Sequence, residues 1–253
     1  MKRNFFALLI LMPAIFCLNR GDARAQLDVN AEPFAVVELF ASEGCSSCPP
    51  ADDFLRELTQ ESLAQGARIF TLSFQVDYWN NLGWVDPFSQ HQFTQRQQRY
   101  SQAFQSPSIY TPQMIINGLY GFVGSDESSA RKFIHQVLEV QPANKITLTA
   151  DMTESSRIAV SYQCKELAAN AVLNFALVER GLESHVTDGE NAGRTLKHDN
   201  IVREFKTMPL TEKEGVYKFA HPQAKDLSQY SIIAYVQNAD DMKITAANKI
   251  DLK

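Results

Sequence analysis

The apolar positions of this chain change their period near the middle. Phe34 to Ala41 is almost continuously apolar, the pattern of a central strand covered on both faces. A few positions on, Ala51, Phe54, Leu55 and Leu58 follow i, i+3, i+4, i+7 spacing, while Asp52, Asp53, Arg56 and Glu57 take the opposite side. That spacing predicts a surface helix packed on a sheet. Its start falls at Pro49 or Pro50, because proline suits a first helical turn and breaks an interior. Ala67 to Val76 predicts a second strand, Pro112 to Asn117 a third, and Leu119 to Val123 a fourth, with Gly118 turning the chain between the last two. From Asp126 onward, Ala130, Phe133, Ile134, Val137 and Leu138 form the clearest amphipathic stripe in the chain. Residues 77–108 interrupt this order as an insertion, an aromatic and polar loop from Asp77 to Trp84 and then a glutamine-rich segment of helical character, Pro87 to Phe104.

Beyond Gln141-Pro142-Ala143-Asn144 the helical period disappears. Seven short runs rich in β-formers follow: Ile146 to Ala150, Arg157 to Tyr162, Val172 to Val178, Val202 to Met208, Val216 to Phe219, Ile232 to Val236 and Ile244 to Ile250. Such runs separated by turn residues predict a mainly β, sandwich-like unit over residues 143–253. The domain boundary is accordingly placed near residue 142, and no internal repeat is evident.

The amino terminus carries a different message. Lys2 and Arg3 precede an apolar stretch from Phe5 to Leu18, and Ala23-Arg24-Ala25 offers a small-x-small cleavage site, so residues 1–25 are expected to be a signal peptide. The stretch is too short for a membrane span, and no later segment reaches about 18 uninterrupted apolar residues. Cys17 follows the bulky Ile15 and Phe16, which argues against lipid attachment there. The expectation is an exported periplasmic or secreted protein beginning at Gln26. Removal of Lys2, Arg3, Arg20, Arg24 and Asp22 leaves 20 basic and 28 acidic residues, a net charge of −8 that disfavours nucleic acid as a partner.

Three cysteines remain after that cleavage, and two of them stand close together. Cys45 and Cys48, in Gly44-Cys45-Ser46-Ser47-Cys48-Pro49-Pro50, lie between a predicted strand and a predicted helix. Two thiols at this spacing can close a disulfide within one turn, and a helix N-terminus stabilises the attacking thiolate. The same spacing also suits zinc or copper, or an inert staple. Export to an oxidising compartment predicts a Cys45–Cys48 disulfide. Cys164 is read as a buried free thiol. His91, His135, His185, His198 and His221 are scattered and form no metal spacing with the cysteines, so no metal site and no cofactor are assigned.

The order strand, Cys-x-x-Cys, helix, strand, insertion, Thr-Pro, strand, strand, helix resembles the thioredoxin fold. Val37-Glu38-Leu39-Phe40-Ala41 looks like the thioredoxin strand that carries a buried acid, and Tyr110-Thr111-Pro112 resembles the loop whose proline is cis and faces the dithiol. Together with Glu43 to Asp52, Val76-Asp77-Tyr78-Trp79 and Gly189-Glu190-Asn191-Ala192-Gly193-Arg194, these positions are similar to a family of secreted bacterial proteins of unknown function, domain of unknown function 1223. The resemblance implies an α/β thioredoxin-like domain over residues 26–142 followed by the mainly β, sandwich-like domain. Thioredoxins carry tryptophan before the first cysteine and Gly-Pro between the pair, whereas this chain has Gly44 and Ser46-Ser47, so reductant or oxidant behaviour does not carry over.

Roles follow on that basis. Cys45, nearer the loop, is the attacking thiol and Cys48 the resolving one. Glu38, desolvated on a central strand, is the candidate proton acceptor for Cys48; its bland alternative is a solvated position at an edge. Thr111 and Pro112 would meet an extended substrate strand. Asp77 and Trp79, with Tyr78 and Trp84, either line the cleft beside the dithiol or fill the core under the loop. The leading expectation is thiol–disulfide exchange on protein thiols or disulfides. A copper or zinc binding module, and a redox-inert interaction protein with a structural disulfide, stand as alternatives.

Overall fold

The computed structural model of the chain describes residues 31–152, 157–220 and 227–252, so the expected signal segment, residues 1–25, lies outside the described residues. Strand β1 (Ala35–Ala41) is buried along its whole length, as its unbroken apolar run requires. It pairs in parallel with β2 (Ile69–Gln75) on one side and antiparallel with β3 (Gln113–Ile116) on the other, and β3 continues antiparallel into β4 (Tyr120–Val123). Helix α1 (Pro49–Gln65) starts at the proline pair and stops at Gly66, whose φ of 63° is the left-handed conformation suited to glycine. Helix α2 (His91–Ala103) forms inside the insertion. Helix α3 (Glu127–Leu138) is capped by Asp126, whose side chain accepts from the Ser129 N–H. No helix among the described residues is long and apolar enough to cross a membrane.

The seven β-runs of the second half form β5 (Ile146–Met152), β6 (Arg157–Cys164), β7 (Ala171–Glu179), β10 (Ile201–Pro209), β11 (Glu214–Ala220), β12 (Tyr230–Asn238) and β13 (Ile244–Asp251). A short hairpin, β8 (Leu182–His185) with β9 (Thr195–His198), lies between β7 and β10. Four of these strands do not build a separate sandwich. They continue the first sheet, in the order β13-β12-β7-β10-β2-β1-β3-β4, and the join is the parallel contact of Ile201 with Ser73. Only β11-β6-β5 stand apart, as a three-stranded antiparallel sheet.

Alternation along the strands explains the three-part core. Val36 and Phe40 of β1, Ala176 and Val178 of β7, and Ile233 and Tyr235 of β12 share one face, closed by Phe93 and Tyr100 of α2. On the other face, Val37 and Leu39 meet Phe54, Leu55 and Leu58 of α1 and Ile134 of α3. Further along that face, Phe175 and Ile232 meet Val160 and Phe219 of the small sheet. The β12–β13 turn also reaches back to the β3–β4 turn, where the Ile244 N–H donates to the Asn117 carbonyl at 3.0 Å. Gly118, at φ 64°, lies so close there that a Cβ would sit 1.9 Å from the Met242 carbonyl oxygen.

The expected fold class, an α/β thioredoxin-like domain followed by a separate sandwich-like domain, is corrected by this sheet order. Among the described residues the chain is mainly β, built on one eight-stranded mixed sheet that draws strands from both halves, with three helices attached. The reason is physical. The local pattern specifies that a strand exists, but its partner is chosen by long-range pairing, and β2 has a free edge that β10 covers.

Candidate functional site

Where β1 ends, Ser42-Glu43-Gly44-Cys45-Ser46-Ser47 forms a tight loop and Cys48 becomes the N-cap of α1. The Cys45 N–H donates to the Ser42 carbonyl and the Cys48 N–H to the Cys45 carbonyl, each at 3.1 Å. The two thiols therefore sit at the positive end of a helix dipole. Cys45, Cys48 and the remote Cys164 are all free thiols, so the expected Cys45–Cys48 disulfide is not formed in this structure. Cys164 is buried in the core beneath the small sheet, and burial pushes it up to about 11.

The two close thiols are inequivalent. Cys45 is pulled down to about 6, chiefly because the Cys48 thiol hydrogen-bonds it, an effect that outweighs burial and is assisted by Ser47 and Thr111. The Ser47 hydroxyl lies 3.2 Å from Cys45 Sγ. Cys48 is pushed far above the ordinary thiol range, first by burial and then by its hydrogen bond to Cys45 and the charges of Cys45 and Asp52. Cys45 is 1% exposed, while Ser46 and Ser47 beside it face solvent.

The Thr111–Pro112 peptide bond is cis, and the Trp79 indole N–H donates to the Thr111 hydroxyl at 2.8 Å. Trp79 also packs against the loop itself, since a Cβ added at Gly44 would lie 3.4 Å from its Cβ. Tyr78 is pushed up to about 12, mainly by burial, with Thr111 and both cysteines acting on it. Thr111, Tyr78 and Trp79 are thus gathered around the dithiol, with Pro112 next to Thr111 in the chain. Asp77 is not: its carboxylate faces α2, accepting from the Thr94 hydroxyl at 2.5 Å and lying 2.9 Å from His91 Nδ1.

Glu38 is likewise removed from the site, and its expected role as proton acceptor for Cys48 is corrected. It projects to the α2 face of the sheet, opposite the face that meets Cys45 and Cys48. There Arg96 donates to Glu38 Oε1 from Nε at 3.1 Å and from Nη2 at 2.6 Å, Tyr235 donates to the same oxygen at 2.6 Å, and Tyr100 donates to Oε2. The Arg96 guanidinium also lies over the rings of Phe205, Tyr100, Phe74 and Tyr235, at 4.9 to 5.6 Å. The carboxylate is buried as expected, yet its hydrogen bonds go to Arg96, Tyr100 and Tyr235 in the core.

What the sequence did not reveal is a second buried polar cluster directly under the cysteine loop. Glu43 Oε1 lies 3.2 Å from His198 Nε2, and Glu43 Oε2 accepts from the Trp84 indole at 2.8 Å. The other imidazole nitrogen, Nδ1, is 3.7 Å from Asp52 Oδ1 and makes no hydrogen bond. Burial alone would lower His198, but Asp52 and Glu43 outweigh it and hold the imidazole up at about 10. Burial would raise Glu43, and hydrogen bonds from His198 and Trp84 overcome that and lower it. Asp86, whose Oδ2 accepts from the Glu43 N–H at 2.9 Å, is pushed up to about 7 by burial.

The turn between β8 and β9 straps this loop in place. Asn191 donates from Nδ2 to the Glu43 carbonyl at 2.8 Å and to the Cys45 carbonyl at 3.0 Å. Glu190 accepts from the Ser46 N–H at 3.0 Å and from its hydroxyl at 2.6 Å. Only one signal could have found these residues: the polar run Gly189 to Arg194, with His198 four positions beyond it.

The profile described as "Protein of unknown function (DUF1223)" matches residues 36–237. No curated protein matches the chain. The crystal structure of protein AGR_C_4864 from Agrobacterium tumefaciens is similar, with a TM-score of 0.60 and 25% identity over 87% of this chain and 94% of that one. A domain of the outer membrane lipoprotein Omp28 from Porphyromonas gingivalis gives a TM-score of 0.27 and 18% identity, covering 44% of this chain and 95% of that one.

Proposed function

Because the chain belongs to the DUF1223 family, whose function is unknown, its chemistry must be read from its own site, and we propose that it exchanges thiols and disulfides of proteins through Cys45 and Cys48. The observation that carries this reading is the placement of the pair: Cys45 lies in the tight loop after β1 and Cys48 at the N-cap of α1, where the helix end favours a thiolate. The two thiols differ accordingly, Cys45 drawn down and Cys48 pushed up by burial, and an exchange reaction uses both halves of that difference. Export, as expected from residues 1–25, would set the pair among disulfide-bearing substrates.

In the reducing direction, the Cys45 thiolate attacks one sulfur of a substrate disulfide. A Cys45–substrate bond forms, the substrate S–S bond breaks, and the released sulfur takes a proton from water. Cys48 then loses its proton and attacks Cys45, freeing the second substrate thiol. The substrate gains two electrons, and Cys45–Cys48 closes as a disulfide; oxidation of a dithiol runs the same steps backward. Approach is from the exposed Ser46–Ser47 side, since Cys45 itself is 1% exposed.

Trapping tests the proposal. Cys48→Ser protein mixed with a disulfide-bonded protein should accumulate mixed disulfides on Cys45, resolved on non-reducing gels, and Cys45→Ser should give none. The wild-type pair should equilibrate with glutathione at a potential above about −300 mV. Absence of trapped species together with a pair that resists glutathione overturns the reading.

A further inference from the structure

We propose that Asp52, positioned by the Glu43–His198 pair, is the proton acceptor for Cys48 in the resolving step. This inference rests on the exchange reading above. The step needs a base, because the attacking Cys48 sulfur is buried and protonated, and Glu38 is committed to Arg96 on the far side of the sheet.

Asp52 is placed for that role by helix geometry. It stands four residues after Cys48, with its own N–H bonded to the Cys48 carbonyl at 3.1 Å, so the two side chains share one face a single turn apart. Its charge reaches Cys48 as well, adding to burial and the Cys45 thiol in raising it. Asp52 is 7% exposed, yet it lines a cavity of about 120 Å³ with Pro49, Arg194, Thr195 and Lys197, which gives a proton somewhere to go.

The groups around Asp52 come from several parts of the chain. Cys48 is the N-cap of α1 and the exposed Asp53 lies within α1; Lys197 and His198 belong to β9 with Arg194 just before it; Glu43 reaches His198 from the β1–α1 loop, and Asp86, in the loop after β2, accepts from the Glu43 N–H. His198 is the positioning residue. Clamped by Glu43 on Nε2, it keeps a cation with an unpaired donor 3.7 Å from the Asp52 carboxylate.

The step balances without a co-reactant. The proton passes from Cys48 Sγ to the Asp52 carboxylate while the sulfur lone pair attacks Cys45. The Cys45–substrate bond breaks with its electrons on the leaving sulfur, and Asp52 then releases its proton to water in the cavity.

Stopped-flow reaction of the reduced protein with oxidised glutathione, followed by mass spectrometry of quenched samples, separates the two steps. Asp52→Asn should form the Cys45–glutathione mixed disulfide at close to the wild-type rate and resolve it at least tenfold more slowly at pH 7. That deficit should shrink as pH rises past 9, when hydroxide deprotonates Cys48 directly. Asp52→Glu should recover much of the rate, and His198→Gln should slow resolution with the same pH signature. Resolution at the wild-type rate in Asp52→Asn overturns the assignment and leaves the exchange reading standing. A slowdown that is equal at every pH and not relieved by Asp52→Glu also overturns it, as a packing defect. A wild-type protein that forms no mixed disulfide at all removes the exchange reading and this proposal together.

Discussion

The Cys45 thiol is the residue on which the chemistry turns, and its state has a direct consequence for reactivity. A thiol that titrates at about 6 is roughly nine-tenths thiolate at pH 7, whereas an ordinary cysteine is a few per cent. Alkylation of Cys45 by iodoacetamide should therefore rise through pH 6 and be flat above pH 7.5, measured by mass as a function of pH. Cys48→Ala should move that midpoint up by roughly one unit, because a hydrogen bond is worth about 1 kcal/mol and a unit is 1.36 kcal/mol. A midpoint near 8.5 in the wild-type protein would remove the basis for the asymmetry. Glu38 makes the opposite prediction. Arg96 and Glu38 are both almost fully buried, so Arg96→Leu should cost about 3–5 kcal/mol by denaturant unfolding, since it strands a buried charge. Glu38→Gln should weaken the fold while leaving the rates of both exchange steps unchanged, which separates a core ion pair from a catalytic base.

Among the elements, the β8–β9 hairpin does what no single residue does: it carries Glu190, Asn191 and His198 from the second half of the chain onto the cysteine loop. Asn191 satisfies two loop carbonyls at once. Asn191→Ala removes a donor from each, leaving the Cys45 carbonyl only the Cys48 N–H, and should cost about 1–3 kcal/mol. It should also speed the reaction of Cys45 with a bulky maleimide several-fold, because the strap that buries the thiol is loosened; an unchanged maleimide rate would show that the strap does not control access. This hairpin was the least legible element in the sequence, and its physics explains why. Each of its strands is four residues long, one face is solvent, and alternation that short is indistinguishable from a polar loop. By contrast, β1, α1 and α3 were legible from residue pattern alone, because a run covered on both faces and a stripe of 3.6 period leave few alternatives. The dithiol was legible too. The face on which Glu38 would lie was not, since β1 is apolar on both sides and its parity relative to the helices appears only once β3 and α1 have docked.

At the scale of the whole molecule, the single sheet makes a demand that two independent domains would not. The α2-side core takes Val36, Phe40, Leu72, Phe74 and Tyr100 from before residue 142, and Ala176, Val178, Val202, Ile233, Tyr235 and Ile244 from after it. The Glu38–Arg96 pair depends on Tyr235 and Gln237, and Arg68 donates to the Ala247 carbonyl at 2.9 Å. A fragment of residues 31–142 would keep β1, β2, β3, β4 and the three helices, but it would expose the β2 edge and half of that core, and leave a buried charge short of partners. It should therefore lack a cooperative unfolding transition, bind a hydrophobic dye such as ANS and show weak near-ultraviolet dichroism. The complete chain should unfold in one transition in which a probe in β1 and a probe in β12 report the same midpoint. A fragment that unfolds sharply with native-like dichroism, or two separated midpoints in the full chain, would mean that the shared sheet does not couple its halves. The cysteine loop would then need its second-half strap for chemistry alone and not for stability.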